Sequence, residues 1–114
     1  MKENLRKNIL QAFKLYSKNG KAQTCKEYGI DFEAIYQKVG PRPGTGKEWH
    51  LDHIIPLALF NFDNPEHVKL SHLPCNLRWL NAGKNIKKHD HIIDYVYNSS
   101  ELIYILNIIL GFYD

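Results

Sequence analysis

The sequence has few cysteines and no long apolar run, and each shortage excludes a class of protein. Its 114 residues include two cysteines, Cys25 and Cys75, which lie far apart and form no CxxC pair. This placement predicts two buried, reduced thiols, and argues against a zinc framework or a disulfide-rich secreted fold. The most apolar stretch, 102–110, is interrupted by Tyr104 and Asn107 and is too short to span a bilayer. Because the first residues carry no apolar signal segment, we expect a cytoplasmic protein without membrane contact.

Charge of one sign is missing from two neighbouring parts of the chain. Residues 67–89 contain no Asp or Glu, and residues 90–114 contain no Lys or Arg. The net charge of +3 is modest, so the distribution is more informative than the total. A basic stripe beside a neutral or acidic tail is typical of a nucleic-acid-binding surface. Judged by charge alone, an ordinary solvated surface explains the same distribution equally well.

With 44% hydrophobic and 24% charged residues, the composition predicts an ordinary globular protein. We expect one domain over 1–114 of mostly helical α+β class. It divides into a helical region over 1–40, a core over 48–89 and C-terminal helices over 90–114.

Apolar spacing and turn residues predict the elements within these regions. The first helix should end near Asn19-Gly20, and Asp31 should be the N-cap of the third. Strands are predicted at 48–53 and 77–80, joined by a long loop in which Asn64-Pro65 starts a helix. The other predicted helices cover 22–28, 81–88, 91–97 and 100–112, the last capped by Ser99 or Ser100.

Three short segments carry the chemistry: WHLDHIIPL at 49–57, NLRWL at 76–80 and NIKK at 85–88. They set a carboxylate beside an imidazole and follow them with two amides, an order that suits metal-assisted phosphodiester cleavage. A neutral histidine such as His53 can accept a proton from water near pH 7. Taken alone, however, His53 would more often be a core histidine on an apolar face.

This order of residues resembles the HNH endonuclease family, with asparagine in place of the last histidine. The resemblance implies a ββα-metal core in which His53 is the general base. It makes Asp52 and Asn85 the metal ligands, while Asn76 ties the long loop and holds the backbone at His53. The four catalytic candidates are therefore His53, Asp52, Asn76 and Asn85. The paired zinc cysteines of many family members are missing.

The implied ligands predict the cofactor, and the basic residues predict the DNA contacts. Carboxylate and amide oxygens suit one Mg²⁺ ion, with Mn²⁺ next, whereas Zn²⁺ or Ni²⁺ would suit an all-histidine site better. Lys88, one helical turn after Asn85, has the spacing at which the family often places a phosphate-contacting lysine. The further candidates for DNA contact are Lys84, Lys87, Arg78, Arg42 and Lys47.

The sequence therefore predicts a metal-dependent endonuclease acting on double-stranded DNA. Two alternatives stay open: a non-catalytic DNA-binding module that keeps the fold, and an assembly subunit. The apolar C-terminal helix suggests burial in the core or a homodimer contact. The histidines without a recognised ligand spacing are read mostly as surface residues: His67, His72, His89 and His91.

Overall fold

The computed structural model combines helices with a two-stranded antiparallel sheet. The structure describes residues 2–17, 24–44, 48–81 and 99–111. The helices are α1 (Lys2–Tyr16), α2 (Cys25–Tyr28), α3 (Phe32–Val39), α4 (Pro65–Ser71) and α5 (Ser100–Ile109). The strands are β1 (Trp49–His53) and β2 (Leu77–Asn81), and 3₁₀ turns cover Leu57–Leu59 and Pro74–Asn76. The predicted α+β class is confirmed.

Local capping chemistry determines where α2 and α3 begin and end. Thr24 Oγ1 accepts a hydrogen bond from Glu27 N, and Glu27 Oε1 accepts one from Thr24 N, which forms a capping box. Gly29 follows α2 with a φ of 76°, a left-handed conformation that glycine adopts without strain. Asp31 caps α3 by accepting from Ala34 N, as predicted.

The later helices also begin at the predicted caps. Asn64 Oδ1 accepts from Glu66 N, and Pro65 is the first residue of α4. Ser99 Oγ accepts a hydrogen bond from Leu102 N at the start of α5.

Several predicted boundaries differ from the structure. Helix α1 ends at Tyr16, short of Asn19-Gly20, and β2 extends through Asn81, which was expected to cap a helix. The helices predicted at 81–88 and 91–97 lie outside the described residues, except for Asn81 itself.

The two strands pair antiparallel, and their register decides which residues face each other. Asp52 lies opposite Arg78, and His53 lies opposite Leu77. The sheet is attached to α3 by two hydrogen bonds from long side chains. Lys38 Nζ donates to Leu77 O at 2.8 Å, and Trp79 Nε1 donates to Gly40 O at 3.0 Å.

The hydrophobic core draws residues from the helices, the loop and β2. Its fully buried apolar side chains are Leu5, Ile9, Phe13, Ile35, Ile55, Val68, Leu77 and Ile105. Helix α5 buries Leu102 and Ile105 in this core, so part of its apolar face packs within the chain. Tyr104, and Leu110 directly after the helix, are exposed. Within the described ranges, no helix has the length and apolar character required to cross a bilayer.

Both cysteines are free thiols, as expected, although each is half-buried rather than fully buried. Burial raises the pKa of Cys25 and, together with a hydrogen bond to Glu101, raises that of Cys75 to about 11. At neutral pH both therefore stay protonated, which makes them poor nucleophiles and metal ligands.

Candidate active site

Three of the four predicted catalytic residues lie at one end of the sheet. Asp52 and His53 are the last residues of β1, and Asn76 directly precedes β2. Backbone Ile54 N donates to Asn76 O at 2.8 Å, which joins the two ends of the loop beside His53. Asn85, the fourth, lies outside the described residues.

The Asn76 side chain holds the loop closed from inside the protein. Asn76 is 0% exposed, and its Oδ1 accepts from Ile55 N at 2.6 Å. Its Nδ2 donates to Ser71 O at 2.8 Å and to Ile55 O at 3.3 Å. One buried amide therefore satisfies backbone groups at both ends of the segment that connects β1 to β2, at Ile55 rather than at His53 itself.

Asp52 forms an ion pair across the strands. Arg78 Nε donates to Asp52 Oδ2 at 2.9 Å, and the Asp52 side chain is 7% exposed. A buried carboxylate is costly unless it is paired, and the ion pair with Arg78 offsets the cost of burying Asp52. Arg78, which was predicted to contact DNA, here contacts the predicted metal ligand. A metal ion at Asp52 would therefore have to bind beside Arg78 or displace it.

His53 contacts a second histidine that sequence reasoning missed. The Nε2 atoms of His53 and His72 are 2.9 Å apart, and His72 Nδ1 lies 2.8 Å from Ser71 Oγ. His72 is 1% exposed, so its expected position on the surface is wrong. Its burial could have been predicted from its position four residues after the apolar Val68, a spacing that places both side chains on the same helix face.

Burial lowers the pKa of His72 from 6.5 to about 4, so its ring is neutral at physiological pH. Because an unfolded histidine titrates near its ordinary value, the unfolded chain binds this proton first as the pH falls. The contribution of the neutral, buried His72 ring to stability is complete above about pH 6.5, and it decreases as the pH falls towards about 4. The expected loss in free energy of unfolding is roughly 3 kcal/mol.

Urea unfolding between pH 7 and pH 4 measures this loss. His72→Gln should show a shallower decrease than the wild type, whereas His50→Gln, at an exposed position on β1, should match the wild type. Equal pH dependence of the wild type and His72→Gln would contradict the assignment of this loss to His72.

The structure adds basic residues beside one predicted DNA contact. Arg42 lines a groove of about 650 Å³ together with Lys7 and Lys14, which lie on the polar face of α1. Arg42 Nε also donates to Gly44 O at 2.9 Å, which holds the Arg42 side chain against the backbone two residues ahead. The other predicted contacts, Lys47 and Lys84, Lys87 and Lys88, lie outside the described residues.

The described residues contain one member of the predicted metal-ligand set. They include no group of three or more His, Cys, Asp or Glu side chains that could hold a metal ion. Asp52 offers a hard carboxylate oxygen, a donor that suits Mg²⁺ or Mn²⁺ better than a soft metal.

Comparisons with protein-family models, curated proteins and solved structures find no match for this chain. A function therefore has to be inferred from the chemistry of the chain's own residues.

Proposed function

We propose that this protein is a metal-dependent endonuclease with an HNH-type ββα-metal core, which hydrolyses double-stranded DNA. The observation that supports this best is the buried Asn76 amide, which closes the β1–β2 loop beside His53. The amide holds Ile55, and the backbone carbonyl of Asn76 accepts from Ile54 N, so Asn76 fixes the two residues that directly follow His53. The imidazole of His53 suits general-base hydrolysis, and the carboxylate of Asp52 at the same end of the sheet offers a metal ligand.

In the proposed reaction, His53 accepts a proton from a water whose oxygen attacks the phosphorus. The new P–O bond forms as the bond to the 3′ oxygen breaks, which leaves a 5′ phosphate. The leaving oxygen takes a proton from solvent and becomes a 3′ hydroxyl. One divalent ion, Mg²⁺ in first place, would be held by Asp52 and Asn85 and would neutralise charge on the phosphate and leaving oxygens.

In the proposed function, the DNA backbone would contact Lys84, Lys87 and Lys88, which lie close to Asn85 in the sequence, together with Arg78 and Lys47. The groove lined by Arg42, Lys7 and Lys14 offers further cations. Contacts of this type position DNA but carry no sequence information, so we expect little sequence preference.

A specific observation favours the alternative, a DNA-binding module without catalysis. Asp52 is engaged by Arg78, and an arginine that neutralises this carboxylate would serve a protein that needs no metal. The assembly alternative, with a homodimer formed through α5, is supported only by the exposed Tyr104 and Leu110.

Relaxation of supercoiled plasmid separates the first two functions. With the wild type we expect nicked product in Mg²⁺ or Mn²⁺, less in Zn²⁺ or Ni²⁺, and none in EDTA. Asp52→Asn should need a higher metal concentration because it removes the charged ligand, whereas Asp63→Asn, at an exposed loop position, should behave as the wild type. No cleavage with any metal, combined with retained DNA binding, would favour the non-catalytic module.

A further inference from the structure

The contact between His53 and His72 is a directed hydrogen bond. The two Nε2 atoms are 2.9 Å apart, and the rings meet edge to face at 71°. Two ring nitrogens at this distance form a hydrogen bond only if one carries a proton and the other a lone pair. The direction depends on which tautomer His72 adopts.

Ser71 determines the tautomer of His72. Ser71 Oγ donates its single proton to Val68 O at 2.6 Å. Ser71 Oγ can therefore only accept from His72 Nδ1, which lies 2.8 Å away. Val68 O, at 3.4 Å, is a second acceptor for the same Nδ1–H. With its proton on Nδ1, a neutral His72 presents the lone pair of Nε2 to His53.

The His72 ring is held in this position by the core. Phe13, itself 0% exposed, packs edge-on against it with ring centroids 4.8 Å apart. Ser71 and His72 are both excluded from solvent, and burial keeps the ring neutral. The acceptor at Nε2 is therefore fixed in place before DNA binds.

We propose that His72 is a positioning residue that accepts the Nε2 proton of His53 and so keeps the lone pair of His53 on Nδ1, the atom that takes the proton from water. This inference rests on the proposed nuclease function, because it assigns the working nitrogen of the proposed base. It also orients the His53 ring, since the Nε2–H must point at a fixed partner. A base held in one tautomer and orientation is ready to react, whereas a rotating ring is ready only part of the time.

The test compares two replacements of His72. His72→Gln keeps an acceptor that can reach the position of Nε2, whereas His72→Phe keeps a ring but removes the acceptor. Long-range ¹H–¹⁵N NMR spectra report the tautomer of His53, and plasmid nicking reports kcat and KM. We expect the Nε2–H tautomer in the wild type and in His72→Gln, and mixed tautomers in His72→Phe. We expect kcat to fall about 100-fold in His72→Phe at unchanged KM, and to be largely rescued in His72→Gln.

The NMR spectra test the role of His72, whereas plasmid nicking tests the nuclease proposal, so the two proposals can fail separately. The NMR measurement on the wild type needs neither catalysis nor a stable variant, so it decides even if His72→Phe does not fold. A wild-type His53 in the Nδ1–H tautomer, or a folded His72→Phe with wild-type kcat, would overturn the role of His72. A wild type that shows no cleavage with any of the metals tested would overturn the nuclease proposal, and with it the assignment of a base nitrogen.

Discussion

Replacement of His53 by alanine is expected to lower plasmid nicking by about 10²–10⁴-fold, the usual contribution of a general base. His53 ends β1 beside Asp52, and its Nε2 lies 2.9 Å from that of His72. Without the imidazole, no other group is expected to take the proton of the attacking water. Binding of DNA and metal should persist, because the proposed metal ligands are other side chains.

His50→Ala is the matched control for this prediction. His50 lies on the same strand, is exposed, and pairs with Leu80 rather than with the residues at the end of the loop. Nicking by His50→Ala should therefore stay within about twofold of the wild type, because most changes at exposed positions have small effects. Wild-type cleavage by His53→Ala would show that the proposed mechanism is wrong.

Replacement of Asn76 by alanine is expected to destabilise the fold by roughly 2–5 kcal/mol. The change leaves buried Ile55 N and Ser71 O without the partner that now lies at 2.6 and 2.8 Å, respectively. Each such buried group costs about 1–3 kcal/mol, and the deleted amide also leaves a cavity. Since small proteins are stable by only about 5–15 kcal/mol, the loss should be large in urea unfolding.

Asn64→Ala provides the control for Asn76→Ala. Asn64 is exposed, and its side chain caps α4 with one hydrogen bond, from Glu66 N. Loss of this cap should cost about 1 kcal/mol. Equal destabilisation by the two replacements would contradict the role of Asn76 in closing the loop. Nicking by Asn76→Ala should decrease together with folding, because Asn76 acts through the loop.

The residues next to the first turns of α3, α4 and α5 correctly predicted where these helices begin. Asp31, Asn64 with Pro65, and Ser99 all cap helices as expected. A cap bonds to a backbone N–H two or three residues ahead, so the interaction is complete within one turn and needs no tertiary partner. The 3₁₀ turn at Pro74–Asn76, which is closed by the local hydrogen bond from Asn76 N to Leu73 O, was missed.

The sequence by itself determined the α+β class and the strand–loop–strand order, because these follow from local spacing and turn residues, and its resemblance to the HNH family supplied the candidate residues. Only the tertiary structure decided their neighbours. Asp52 meets Arg78 through the strand register, and His53 meets His72, which directly follows α4 and packs against Phe13 of α1. Such contacts join residues far apart in the chain, and they depend on how the helices and strands pack together rather than on any local pattern.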